Sequence, residues 1–383
     1  MVKFRYILPA VLMLGAAVTE AGTFPGGMGT VWAAENQPLN AQAIQYANLP
    51  DLVKTYSPQV QMERTLYESR LNRYESARED IMETRRLLRE EAEDMEDSGD
   101  TEGAASYRAQ AKVLEEAAKD MDKQIRSAKG SSSTMSLRQM EDTMVWTAQN
   151  LMGTYHSLRS EQQGAAANAE LTQSRYEKAL NQVTLGALSQ AEADEAGKSA
   201  QEALNQMQAI QSNMERVRKD LLMVTGFSVD SDVEIGPMPS PDPARVDGYT
   251  IEIDKWRALG NNYELRQQRS GSSGGTNKEL HARQRSINVG EETMYGQIDT
   301  LYQDVLANRT LWQSACTAQA AREAQWKAAS GKMQLGMLSR QEYLEARTEY
   351  LEGTAAKAQA DVGFQQAMDA YDWAVKGFMA EGN

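Results

Sequence analysis

The sequence of 383 residues predicts an all-α protein made of two tandem long antiparallel coiled-coil hairpins, with little or no β structure. The first observation is the placement of the prolines, because none of them falls within residues 59–236 or 244–383. Proline inside a helix costs about 3 kcal/mol, so these two tracts suit long uninterrupted helices. The second observation is a repeat at an offset of 150 residues, and the third is a heptad spacing of apolar residues within each repeat.

The amino-terminal 34 residues have the pattern of an export signal. Lys3 and Arg5 precede an apolar run over residues 6–18, which is shorter than the roughly 20 residues of a membrane-spanning helix. Ala33 and Ala34 offer a cleavage site, with Ala21 as the alternative. We therefore expect an exported protein of the cell envelope with a signal peptide at 1–34, the alternative being an uncleaved membrane anchor.

The chain divides into repeats, an insertion and linkers. We expect the first helical hairpin repeat over 35–236, a proline-rich linker over 237–248 and the second repeat over 249–383. An extra charged helical hairpin is expected as an insertion at about 84–135, turning at residues 98–100, and a flexible Gly/Ser linker at 270–275. Short extended segments are expected only near the central linker, at 229–235 and 249–253.

The two repeats match at constant offset through their central parts. Residues 141–144 fall on 291–294, and the segment 185–189, Leu-Gly-Ala-Leu-Ser, falls on 335–339, Leu-Gly-Met-Leu-Ser. After one extra residue, Gly226 near the end of the first copy meets Gly377 in the second. Matched glycines inside matched five-residue segments indicate a duplication rather than chance similarity between alanine-rich helices.

Each Leu-Gly-x-Leu-Ser segment predicts a tight turn between two long helices. Glycine adopts positive φ at low cost, so Gly186 is suited to end a helix, and Gly336 likewise. Ser189 stands three residues before Glu192, which is the spacing of a capping box, and Ser339 stands likewise before Glu342. In the first copy the two helices would cover about 136–185 and 190–225, roughly 75 and 54 Å long.

The returning helix of each hairpin carries an apolar seam. The spacings alternate between three and four residues, as at the a and d positions of a coiled coil. The seam residues are Met207, Ile210, Met214, Val217, Leu221 and Val224 in the first copy, and Phe364, Met368, Tyr371, Val375 and Phe378 in the second. We interpret both sets as packing residues rather than as a cofactor site.

The leucines at the two turns are candidates for binding a partner. Apolar side chains at the far end of a long hairpin are remote from any core in their own subunit, and their exposure suggests a binding surface. The alternative is that they seal the turn from within.

Several classes of function are disfavoured by composition. A formal net charge of −14 disfavours nucleic acid as a partner. Cys316 is the only cysteine, and with two histidines it does not complete a structural zinc site, so we expect no metal and no other cofactor. The acid pairs Glu141/Asp142 and Glu291/Glu292 lack an evident histidine or nucleophile, and we interpret them as solvated helix faces of a protein that is not an enzyme.

The repeated turn motif resembles the tips of the outer membrane efflux protein (TolC) family. In that family each of two tandem hairpins has a tip with tyrosine, glycine and Ser/Thr at three-residue spacing, and a closing glycine that Gly226 and Gly377 match. Val183 and Met333 stand here where the family has tyrosine. Residues 57–60 and 262–265 resemble the family's Asn-Pro-x-Leu opening, and the resemblance covers about 41–83, 136–240 and 249–378.

The resemblance implies a TolC-like α-barrel protomer, from which a homotrimer closes a passive tunnel of twelve helices for efflux or type I secretion. The tips would dock to a periplasmic adaptor (membrane fusion) protein that works with an inner-membrane pump. The docking residues implied are Leu185, Gly186, Leu188, Ser189, Leu335, Gly336, Leu338 and Ser339.

One departure from the family concerns the membrane. The alternating apolar strands that family members insert into the membrane are not found in either repeat, so the chain resembles a divergent member apparently lacking them, and its membrane association is expected to be indirect. The alternative function is an envelope-located structural coiled-coil scaffold that has lost transport.

Overall fold

The computed structural model describes residues 43–270 and 275–379. The signal peptide expected at 1–34 lies outside these residues, as does most of the linker expected at 270–275. The elements in chain order are β1 (Ala43–Ile44), a 3-10 turn (Tyr46–Asn48), α1 (Leu49–Tyr56), α2 (Pro58–Asp97), α3 (Thr101–Ala128), α4 (Ser131–Thr184), α5 (Gln190–Val224), β2 (Glu234–Ile235), α6 (Pro243–Asp247), α7 (Ile251–Asn261), α8 (Tyr263–Ser270), α9 (Asn277–Gln334) and α10 (Arg340–Lys376).

The two predicted hairpins are the main body of the molecule. α4 packs antiparallel on α5, and α9 packs antiparallel on α10, each pair turning at one of the Leu-Gly-x-Leu-Ser segments. The predicted seams are their contact surfaces, since Val217, Leu221, Phe364 and Met368 are all buried. The predicted fold class is therefore confirmed.

The hairpins lie next to each other through their inner helices. α4 packs on α10, and a hydrogen bond of 3.0 Å between the side-chain amides of Asn150 and Gln366 is one of the contacts that join them. The order across the layer is α5, α4, α10, α9. Within the described residues α5 and α9 share no packing of comparable extent, so each forms an edge of the layer.

A third long hairpin is formed by α2 and α3. α2 runs without a break from Pro58 to Asp97, and α3 returns to Ala128, with the turn at residues 98–100. α2 therefore begins well before residue 84, where the sequence analysis placed the start of the insertion. The division of the chain into repeats and an insertion stays a prediction.

Both repeats close on a glycine with positive φ. Gly226 has φ +81° and lies against the backbone carbonyl of Tyr56, where α1 ends. Gly377 has φ +99° and lies against the carbonyl of Asn261, where α7 ends. A Cβ on either glycine would overlap that carbonyl. The opening and closing motifs of each repeat thus meet in space, at equivalent helix breaks.

Each repeat has its own hydrophobic cluster near these junctions. Residues from α1, α2, α4 and α5 form the first, with Val145, Met152 and Leu222 fully buried. Residues from α7, α8, α9 and α10 form the second, with Ile298 and Tyr371 fully buried. These clusters anchor the ends of the hairpins opposite the turns, so the turns lie at the far end of the layer.

Two strands of two residues each are the described β structure. β1 pairs in parallel with β2, with Ile44 opposite Ile235, so the end of the expected extended segment 229–235 is a strand. The expectation for 249–253 is wrong, because α7 begins at Ile251. Asp254 stabilises the first turn of α7 by accepting a hydrogen bond of 3.0 Å from the amide of Thr250.

A buried polar cluster ties the central linker to the last helix. Arg245 of α6 lies 2.8 Å from Asp369 and 2.5 Å from Asp372, both on α10. Gln365 donates to Asp369, and the hydroxyl of Tyr46 donates to the same carboxylate. Burial and then the charge of Asp369 raise the pKa of Tyr46, so that this hydroxyl keeps its proton.

The acid pairs make structural contacts. Glu141 pairs with Arg64 of α2 at 2.9 Å, and Asp142 accepts from the hydroxyl of Tyr263 at 2.6 Å. Glu291 pairs with Arg269 at 2.8 Å. These acids join helices to one another.

Candidate docking site at the hairpin tips

The first tip, residues 183–192, ends α4 in a Schellman motif. The amide of Gly186 donates to the carbonyl of Val183 at 2.9 Å, and the amide of Ala187 donates to that of Gln182 at 2.8 Å. This geometry requires φ +71° at Gly186, whereas a Cβ there would meet no atom within 4 Å. The turn therefore requires glycine for its backbone conformation and not for space.

The second tip, residues 333–342, has the same geometry. Gly336 has φ +68°, its amide donates to Met333 at 3.0 Å, and the amide of Met337 donates to Lys332 at 2.9 Å. A Cβ at Gly336 would again meet nothing within 4 Å. The two predicted turns are confirmed in position and in the positive φ of their glycines.

A capping box starts the returning helix at each tip. The hydroxyl of Ser189 accepts from the amide of Glu192 at 3.3 Å, while the Glu192 carboxylate accepts from the amide of Ser189 at 3.0 Å. Ser339 and Glu342 repeat these bonds at 3.3 and 2.9 Å. The serine side chains, and then the serine amides, lower the pKa of both glutamates. Both boxes were predicted from spacing and are confirmed.

The apolar side chains at the tips differ in exposure. Leu185 is 82% exposed and Leu335 is 72% exposed, whereas Leu188 and Leu338 are half-buried in the turn. The first leucine of each motif thus projects outward, and the second covers the turn from within. The exposure expected from the sequence is found for the first leucine of each pair, and binding of a partner there stays a prediction.

Met337 is an exposed apolar residue that the sequence argument missed. It is 73% exposed, at the position where the first tip has Ala187. The repeat alignment contained the signal, because a methionine replaces alanine inside an otherwise matched segment. The second tip is therefore the more apolar of the two.

The fold brings the two tips to the same end of the molecule. Arg175 of α4 lies 2.8 Å from Glu345 of α10, and Lys178 donates to the Gln341 side chain at 2.9 Å. Arg175 and then Gln341 lower the pKa of Glu345 by hydrogen bonding. These contacts between helices of different hairpins hold the turns next to each other.

The tip surface presents exposed apolar side chains between capped helix ends. Among the residues that the structure describes, no group of three histidine, cysteine or carboxylate side chains is placed to hold a metal ion. In the same part of the chain no helix is both long and apolar enough to cross a membrane.

Comparisons with known proteins find likeness at the level of structure. No protein-family model matches the chain, and no curated protein matches it. The outer-membrane channel OprN is 12% identical, with 87% of this chain and 90% of that chain covered at a TM-score of 0.44. The outer membrane protein VceC from Vibrio cholerae is also 12% identical, with 88% and 97% covered at 0.46. The CmeC outer membrane channel of Campylobacter jejuni is 15% identical, with 72% and 69% covered at 0.37. At these identities the likeness concerns the fold alone.

Proposed function

We propose that the chain is an exported subunit of a passive helical conduit of the TolC type, which docks through its two tips to a periplasmic adaptor protein. The observation that carries the proposal is the pairing of two turns of the same backbone geometry at one end of the layer, with Leu185, Leu335 and Met337 exposed there. Exposed apolar side chains held on rigid, capped turns suit a protein partner.

The open layer supports an assembly of several copies. α5 and α9 are edge helices, and the two edges differ in sequence, so that the α5 edge of one copy would pack on the α9 edge of the next. Such a head-to-tail contact closes a ring when the rotation fits. Three copies of four helices would give the tunnel of twelve helices implied by the sequence resemblance. In this proposal the conduit is passive, and an inner-membrane pump would drive transport.

The first test measures the mass of the mature protein in solution. The proposal expects a trimer, or a whole multiple of a trimer where closed rings associate further. A single chain at all concentrations would contradict the conduit and would favour the alternative, a structural coiled-coil scaffold of the envelope.

The second test measures capture of the adaptor by immobilised protein. The probe is the purified periplasmic adaptor of the same organism. We expect the double variant Leu335→Gln/Met337→Gln to lose capture by at least about tenfold, because two anchors at the centre of a contact are removed. The matched control is Met62→Gln, a methionine that is 57% exposed, against 73% for Met337, and lies near the ends of the hairpins opposite the turns. Equal capture by the tip variant and the control would show that the tips are not the docking site.

A further inference from the structure

The α2–α3 hairpin is an antiparallel coiled coil with its own seam. Buried and half-buried residues recur at spacings of three and four on both helices. They are Leu71, Tyr74, Arg78, Ile81, Arg85, Leu88, Ala92 and Met95 on α2, and Ala104, Tyr107, Ala111, Leu114, Ala118, Met121, Ile125 and Ala128 on α3. From Glu75, which pairs with Lys129 next to the start of α4, the hairpin continues to Asp97, about 33 Å further.

One face of this hairpin is covered by ion pairs between the two helices. Arg85 and Arg89 both approach Glu115, at 2.8 and 3.4 Å, and Arg108 pairs with Glu96. In an antiparallel pair of helices the e positions of the two heptads meet on one side. Four of these side chains occupy e positions, namely Arg89, Glu96, Arg108 and Glu115. The charged groups on this side are therefore already partnered within the hairpin.

The opposite face carries small and apolar side chains at its centre, together with one exposed carboxylate on each helix, Asp80 and Asp120, of which Asp120 pairs with Lys123 of its own helix at 2.8 Å. It is formed by the g and c positions of both helices, and its central residues are Ala77, Thr84, Leu87, Gln110, Val113 and Ala117. Leu87 is 51% exposed and Val113 is 64% exposed, at the same level of the hairpin on its two helices. The described ion pairs between α2 and α3 do not reach this face. We call it the Leu87 face.

The two ends of the Leu87 face carry opposite charge. Toward the hairpin turn the g and c positions of α2 are Glu91 and Asp94, within a segment, residues 89–108, that has eight acidic and two basic side chains. Toward the base the same positions are Arg70 and Arg73, both exposed. Two such faces packed in parallel would set acid beside acid, whereas antiparallel packing sets the acidic end of each beside the arginines of the other.

The antiparallel register also fits the apolar residues. When Glu91 and Asp94 lie at the level of Arg73 and Arg70 of a second copy, Leu87 lies at the level of Ala77 of that copy. A large side chain then meets a small one in both halves of a two-fold contact. The overlap covers about 24 residues of each helix, roughly 36 Å by 20 Å, or about 700 Å² on each copy. This is close to the roughly 800 Å² per partner of a stable interface.

We propose that the Leu87 face is a self-association surface, through which the α2–α3 hairpins of two copies pack antiparallel. The surface is remote from the Leu-Gly-x-Leu-Ser tips, because α2 passes Glu141 near the start of α4 and continues in the direction opposite to the tips. The association is therefore independent of adaptor docking. It joins two chains, or two closed rings, by the ends that face away from the tips.

The first test compares masses in solution over a concentration series. We expect the wild type to have twice the mass of the variant Leu87→Lys/Val113→Lys, whether the smaller species is a monomer or a trimer. The matched control is Ala109→Lys, an exposed position on α3 outside the Leu87 face, which should keep the larger mass. Thermal melting by circular dichroism confirms that all three proteins are folded. Equal masses for wild type and the double variant would overturn the proposal.

The second test fixes the direction of packing by disulfide formation. In a background with Cys316→Ser, chains carrying Asp94→Cys are mixed with chains carrying Arg70→Cys. We expect cross-linked dimers in the mixture and none in either variant alone. Cross-linking of Asp94→Cys to itself would mean parallel packing. Either that result or the absence of a cross-link in every sample would refute the antiparallel contact.

Discussion

Two pairs of glycines with positive φ give a sharp test of what stabilises this fold. Gly336 at the second tip has open space around the missing Cβ, whereas Gly377 lies against the carbonyl of Asn261. Alanine at either position adopts a left-handed backbone at a cost of about 1–2 kcal/mol. At Gly377 the added methyl group also overlaps backbone at the α7–α8 break, which adds about 1–3 kcal/mol of overpacking.

The expected loss of unfolding free energy is therefore about 1–2 kcal/mol for Gly336→Ala and about 2–5 kcal/mol for Gly377→Ala. Urea unfolding followed by circular dichroism at the helical band measures both, since a change of midpoint at constant slope is a change of stability. The same contrast is expected between Gly186→Ala and Gly226→Ala in the first repeat.

Equal losses at the tip and at the junction would refute this reasoning. They would mean that the left-handed backbone alone sets the cost and that the contact between the opening and the closing of each repeat is not rigid. A smaller loss at Gly377 than at Gly336 would exclude the close approach altogether.

Three further predictions concern the contacts of the central linker and the α2–α3 hairpin. Arg245→Met removes two ion pairs from α10 and leaves the buried Asp369 with fewer donors, so urea unfolding should show a loss of about 2–3 kcal/mol. Burial lowers the pKa of His156 from its ordinary value of 6.5, so the folded state favours the neutral ring. Protonation of this histidine therefore costs more in the folded than in the unfolded chain, and the free energy of unfolding decreases as pH falls below 6.5. At pH values below about 6.5, the urea midpoint should thus decrease more steeply in the wild type than in His156→Gln. In the α2–α3 seam, Ala118→Leu should lower the melting temperature through about 1–3 kcal/mol of overpacking, whereas Ala109→Leu, which is exposed, should leave it unchanged.

Local features of the chain could be predicted because their signals are local. The turn at Gly186 needs only a residue that accepts positive φ, and the capping box at Ser189 needs only a glutamate three residues later. Long helices follow from the absence of proline and the heptad seam. For these elements the interacting groups lie within one or two turns of each other in the sequence.

Contacts between distant segments had no such signal. The strand Ala43–Ile44 is too short to show a pattern, and its partner is almost two hundred residues away. The segment 249–253 is apolar enough for a strand, yet a helix begins there and Asp254 stabilises its first turn by accepting from the amide of Thr250. Met337 was missed for a different reason, since its exposure depends on where the turn projects and not on which residues form it.

The sequence by itself determined the helices, their turns and the repetition of one hairpin, because backbone conformation and capping are set by near neighbours. Only the tertiary structure decided that α4 packs on α10, that both tips lie at one end, and that a third hairpin runs the other way with an ion-paired face and an apolar face. These arrangements depend on pairs such as Arg175 and Glu345, 170 residues apart, whose attraction acts only once the helices are in place.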